Sequence, residues 1–128
     1  MLHVLDTSVC VSLIRGRAAR TDLPPTNECA VSVITAAELE VGVRRSSRPR
    51  EERAAVEGLL ALFTVLPFDT SAVADYGAIR VDLETAGQSI GPLDLLIAAH
   101  ARSLNATLVT SNVKEFRRVK GLRVRPWK

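Results

Sequence analysis

The sequence predicts an α/β fold, a three-layer α/β/α sandwich built on a short parallel β-sheet. Two observations predict it. Short apolar runs rich in Val, Ile and Leu carry no polar face, which is how strands covered on both sides of a parallel sheet read. Between them lie longer Ala- and Leu-rich segments whose apolar residues recur three and four apart, the spacing of amphipathic helices. A length of 128 residues without internal repeat, low-complexity tract or linker predicts a single domain over residues 1–128.

The elements follow in order. Residues 2–5 predict the first strand, and Asp6-Thr7-Ser8 comes directly after it as a strand-to-helix turn in which Asp is a natural N-cap. Pro24-Pro25 mark a loop, residues 30–34 the second strand and 35–45 a helix. Ser46-Ser47 with Pro49 break that helix, and residues 50–62 predict the next, followed by a strand over 64–68. Residues 71–86 and 93–104 predict helices separated by the loop from Gly87 to Pro92. A fourth strand over 107–109 leads through Asn112 to a short helix holding Phe116, and residues 122–124 predict a fifth strand.

Composition narrows the chemistry. The longest uncharged stretches hold 11 residues, against about 18 for a membrane span, and no secretory signal pattern opens the chain. We therefore expect a cytoplasmic protein with no membrane contact. Two cysteines, Cys10 and Cys29, cannot build a disulfide framework or a thiolate zinc site, and read as small buried hydrophobes. With His3 and His100 the only histidines, most metallohydrolase and Ser-His-Asp chemistry drops out. Carboxylates are left as the reactive groups.

In open parallel sheets ligands bind beyond the carboxyl ends of the strands, so the polar residues that follow each strand are the candidates. Asp6 follows the first, although Asp69-Thr70-Ser71 repeats the same tripeptide after the third strand and shows that the motif also serves as a bare cap. Glu38 follows the second strand, either as the reciprocal member of a capping box with Thr35 or as a carboxylate on the first helical turn facing the crevice. Glu40 faces away from it and reads as solvated. Asp94 heads a helix face continued by Ile97, Ala98 and Ala101, all apolar, so it points toward the sheet. The helix N-terminus offers an anion about 0.3–1 kcal/mol, less than the several kcal/mol of desolvating a charge; a cation in the crevice would resolve that conflict. Asn112 follows the fourth strand and can cap the next helix or order a water, with Thr110 and Ser111 as weaker candidates. Oxygen-only donors of this kind select hard cations, Mg²⁺ or Mn²⁺. Such an ion would let the carboxylates gather, and would polarise a phosphate oxygen and activate water.

These residues resemble a family. Val4 to Ser8, Ser32 to Gly42 (SVITAAELEVG), Ile90 to Ser103 (IGPLDLLIAAHARS) and Leu108 to Arg118 (LVTSNVKEFRR), with Gly121-Leu122 and Pro126-Trp127, look like the PIN-domain ribonucleases. More narrowly they resemble the VapC toxins of bacterial toxin–antitoxin pairs. The resemblance implies a Mg²⁺- or Mn²⁺-dependent endoribonuclease that cuts RNA, tRNA above all, and halts translation. It also implies a homodimer and a VapB-type antitoxin whose tail occupies the active-site groove. Carried over by motif, the first Asp falls on Asp6, the Glu on Glu38 and the helix-heading Asp on Asp94, the three metal ligands. The fourth acidic position falls on Asn112, a departure that bears on a second ion rather than the first. Asp69 matches no site position.

The alternative reading is a non-catalytic PIN-fold module that binds nucleic acid or a partner, in which Asn112 marks a lost site. A receiver-like phosphoacceptor would need an acidic pair after the first strand, where only Asp6 stands. The net charge of +3 divides into +6 for residues 114–128 and −3 for the rest. The window from Lys114 to Lys128 thus predicts a basic strip beside the Asn112 loop, suited to phosphates. A second cluster, Arg44, Arg45, Arg48, Arg50 and Arg53, is diluted by Glu51 and Glu52 and reads as an exposed helix junction.

Overall fold

The computed structural model describes residues 1–17 and 19–127. Among these, β1 (His3–Leu5), β2 (Cys29–Ser32), β3 (Thr64–Leu66), β4 (Thr107–Thr110) and β5 (Arg123–Pro126) form one parallel sheet in the order β3-β2-β1-β4-β5. The helices are α1 (Thr7–Ile14), α2 (Val33–Arg45), α3 (Pro49–Leu62), α4 (Val73–Thr85), α5 (Pro92–Ser103) and the single turn α6 (Val113–Phe116).

Successive side chains of a strand face opposite ways, and the two sides of this sheet fill two separate cores. Val4 and Leu108 pack with Ile79, Ile97 and Phe116 under α4, α5 and α6. Leu5, Val31 and Val109 pack with Val9, Leu39 and Val56 under α1, α2 and α3. This is the predicted three-layer sandwich. From β1 the chain winds outward to β3 with its helices on one face, then crosses to β4 and β5 with its helices on the other. The winding reverses between β1 and β4, and a cleft opens beyond their carboxyl ends, the place where open α/β sheets hold ligands.

Three details differ from the sequence reading. Asp6 opens a full helix, α1, rather than a turn. The second strand stops at Ser32 and α2 begins at Val33, not Thr35, because Ser32 Oγ accepts the Ile34 N–H at 3.0 Å and caps the helix there. Val33 and Ile34 continue an apolar run, and such a run cannot by itself distinguish a strand end from a helix start. The edge strands are not covered on both faces: β3 is only partly buried and β5 is largely exposed. Beyond β5, the Trp127 N–H donates to the Thr110 carbonyl at 3.0 Å, so the chain leaves the sheet at its carboxyl end beside β4. Lys128, part of the predicted basic strip, lies outside the described residues. Among the described residues no helix is long and apolar enough to cross a membrane.

Candidate active site at the carboxyl ends of the strands

Asp6 caps α1 and is a candidate site residue. It is 4% exposed, and its carboxylate accepts from Thr7 N at 2.8 Å, Ser8 Oγ at 2.9 Å and Thr110 Oγ1 at 2.7 Å. Thr110 sits at the end of β4, and its hydroxyl oxygen in turn accepts the Asn112 N–H at 2.9 Å. Charge-assisted bonds from both central strand ends therefore hold Asp6 at the point where the winding reverses. Asp69 shows the contrast. It accepts the N–H and hydroxyl of Ser71 in the same local way, but it is exposed and only caps the 3₁₀ turn Thr70–Ala72. Burial between two strands, not the tripeptide, sets Asp6 apart from Asp69.

Glu38 does not close a capping box. Thr35, the expected cap, is wholly buried, and Glu38 stands in the second turn of α2, not the first. Its Oε1 accepts from Thr7 Oγ1 at 2.6 Å, and Thr7 Oγ1 accepts in turn from Thr35 Oγ1 at 3.0 Å. This hydroxyl relay joins the start of α1 to α2 and turns Glu38 toward Asp6. Glu40, two residues on, is not simply solvated. Arg44 Nε at 2.8 Å and the Arg53 guanidinium at 2.9 and 3.0 Å clasp it, and they hold its carboxyl down at about 2. Within the arginine cluster, Arg53 thus clips α3 to α2 through Glu40, and Arg44 braces the same carboxylate from α2.

Asp94 occupies the first turn of α5, half-buried. Desolvation chiefly, and then the charges of Asp6, Glu38 and Glu115, push its carboxyl up to about 6. Carboxylates from three other elements thus stand close enough to Asp94 to act on it. Gly91 makes room for it: a Cβ at that position would lie 3.3 Å from Asp94 Oδ2.

Asn112 lies at the head of α6 but makes no side-chain cap bond. Glu115, one turn later, is the carboxylate that acts on Asp94 from this side. The sequence reading did not single out Glu115, which lies inside the basic window. It also missed Thr7 and Ser8, whose hydroxyls look like ordinary turn chemistry until the fold brings Glu38 and Thr110 beside them.

All donors in the cleft are oxygens, a set that suits a hard divalent cation. Among the described residues no three of its carboxylates are already drawn to the spacing of a formed metal centre. The cysteines offer nothing to the site. Both are buried, and burial followed by the Asp6 charge pushes the Cys10 thiol up to about 12.

The basic window is divided by the fold. Lys114 and Arg117 are exposed on or next to α6, close to the cleft, and Arg118 reaches the Ser89 carbonyl at 3.3 Å in the loop before α5. Arg123 pairs in register with Thr107, at the opposite end of the sheet, and donates to the Asn105 carbonyl. The Lys120 carbonyl takes a bond from Arg102 at the far end of α5. The expected continuous strip beside Asn112 is therefore interrupted: Arg123 starts β5 at the far end of the sheet, and the strand then runs back until Arg125 pairs with Val109, one residue short of Thr110.

The family model of the PIN domain matches residues 3–122. The tRNA(fMet)-specific endonuclease VapC of Shigella flexneri is 38% identical over 97% of this chain and 96% of its own. The DNA-bound VapBC structure from Salmonella typhimurium contains a chain 37% identical, with a TM-score of 0.93 and 100% of both chains covered. VapBC2 of Rickettsia felis, bound to a DNA fragment from its promoter, gives 34% identity and 0.93 over 100% of both chains. Together with a cleft of oxygen donors at the β1/β4 reversal, these likenesses make the chain a member of the PIN-domain family, within its VapC group of ribonucleases.

Proposed function

We propose that the chain is the toxin of a toxin–antitoxin pair, an endoribonuclease that hydrolyses RNA phosphodiesters, with tRNA as substrate. The observation that carries this reading is the convergence of Asp6, Glu38 and Asp94 from three elements onto one cleft, Asp6 held by Thr110, Glu38 by Thr7, and both near enough to act on Asp94. Asp6, Glu38 and Asp94 would hold one Mg²⁺ or Mn²⁺. When bound, the ion supplies Lewis acidity toward a phosphate oxygen and water, and neutralises charge on the pentacoordinate phosphorus.

The chain's own residues do the rest. Thr110 and Ser8 keep the Asp6 carboxylate oriented through charge-assisted bonds. Thr7 does the same for Glu38. Asn112, with its amide uncommitted to capping, orders the attacking water, and Glu115 completes the acidic rim from α6. Lys114 and Arg117 hold backbone phosphates next to the scissile bond. The products are a 5′-phosphate and a 3′-hydroxyl.

This reading brings two partners, a second copy of the chain and a VapB-type antitoxin. Support for the first is the outer face of α4, where Val73 and Val81 are each 61% exposed with Gly77 between them. The test is incubation of purified, antitoxin-free protein with total RNA, with and without Mg²⁺ or Mn²⁺. We expect cleavage that needs the cation and is absent in Asp94→Asn. Cleavage that survives EDTA, or that persists in that variant, overturns the reading.

A further inference from the structure

Asp94 and Glu38 reach the cleft from opposite helical layers, so their relative placement depends on what ties the layers together across the sheet. One buried side chain, unused by the chemistry above, does this. His100 lies on α5, six residues after Asp94, and is 3% exposed. Its Nδ1 stands 2.8 Å from Ser32 Oγ, itself fully buried where β2 gives way to α2. The same Ser32 Oγ accepts the Ile34 N–H as the cap of α2. The imidazole also hydrogen-bonds the Pro67 carbonyl just past β3, and the Phe68 ring meets it edge-on at 5.3 Å.

Hydrogen accounting fixes the roles. A carbonyl only accepts, and Nδ1 is taken by Ser32, so we assign the hydrogen of the neutral ring to Nε2. Nδ1 is then the acceptor for the Ser32 hydroxyl. Ser32 donates to His100 while accepting from Ile34, so a helix in one layer holds the cap of a helix in the other.

We propose that His100 is a positioning residue for the carboxylate cleft. By holding the Ser32 cap it fixes where α2 begins relative to α5, and hence how Glu38 faces Asp94. The consequence for the metal rests on the nuclease reading; the tie between the helices does not.

Three variants separate this from general core packing. His100→Asn can present an amide oxygen where Nδ1 stood and keep the Ser32 bond. His100→Gln places its amide near the Nε2 position and loses that bond. Ser32→Ala cuts the link from the other end with little change in volume. Two quantities are read in each folded variant: Ile34 amide exchange relative to the amides of β4, and Mn²⁺ affinity by calorimetry.

We expect Ile34 exchange to rise about tenfold in His100→Gln and Ser32→Ala, the loss of about one hydrogen bond. Mn²⁺ affinity should fall about tenfold in the same two variants, as when a ligand's supporting shell is removed. The combination of the two changes should cost no more than either alone, and His100→Asn should stay close to the unmodified chain. Unchanged exchange in Ser32→Ala, unchanged Mn²⁺ affinity in both variants of a protein that binds Mn²⁺, or equal damage from Asn and Gln overturns the proposal. If the unmodified chain binds no Mn²⁺ while the Ile34 pattern holds, the nuclease reading fails and the tie stands.

Discussion

At the scale of single residues, the site is a set of carboxylates kept under mutual repulsion, and Asp94 carries most of it. Its carboxyl titrates near 6, above the ordinary 3.8, so between those values the folded chain binds a proton that the unfolded chain does not. Stability therefore falls as pH rises through 6. Asp94→Asn removes that penalty. In metal-free buffer at pH 7.5 we expect the variant to be more stable by about 1 kcal/mol, after allowing for solvent screening at a half-exposed group. Thermal melts should show a Tm higher by a few degrees, with the gain gone at pH 4 and RNA cleavage abolished. Gly91→Ala separates placement from charge. The backbone there, φ −58° and ψ 149°, is open to any residue, so stability should hold or rise by about 0.4–1 kcal/mol. The new Cβ would crowd Asp94 Oδ2, and kcat should fall about tenfold in a cleavage assay.

At the scale of elements, α2 is the informative case. Its amphipathic spacing is plain in the sequence, but its start is not, because Ser32 competes with Thr35 as cap and only the buried His100 decides between them. Glu38 was legible as a candidate, but its place in the helix was read one turn too early. Asp6 and Asp94 were legible because each follows or heads an element whose apolar face is unambiguous. Glu115 was not, since a four-residue helix has too little periodicity to show which way a side chain turns. The α2–α3 clip gives an element-level prediction. Glu40 titrates at about 2 in the folded chain against an ordinary 4.5, so its stabilisation is present above 4.5 and is lost as pH falls toward 2. Glu40→Gln should lower Tm slightly at pH 7, and the difference from the unmodified chain should vanish in melts near pH 2.

At the scale of the whole molecule, the sandwich was legible from alternation alone, and with it the end of the sheet to inspect, whereas the strand order and its reversal between β1 and β4 came only with the fold. Charge placement was not legible either. The window of residues 114–128 looks uniform in sequence, but a parallel strand runs through it and carries Arg123 to the end away from the cleft. Removing Lys114 and Arg117 together as glutamines should weaken RNA binding and flatten its dependence on log salt by about 0.7 per lost phosphate contact. Arg123→Gln should leave that slope unchanged. Fluorescence anisotropy with a labelled RNA across a salt series distinguishes the two.

The bond from the Trp127 N–H to the Thr110 carbonyl has a practical reach. Residue 127 departs beside the cleft, whereas His3 enters β1 a strand away, about 10 Å at the rise of an extended chain. Any polypeptide fused after residue 127 begins at the mouth of the groove and can lie in it. One fused ahead of His3 starts at the opposite rim. An affinity handle on the trailing side should therefore slow RNA cleavage until it is removed by protease, and the same handle on the leading side should have no effect.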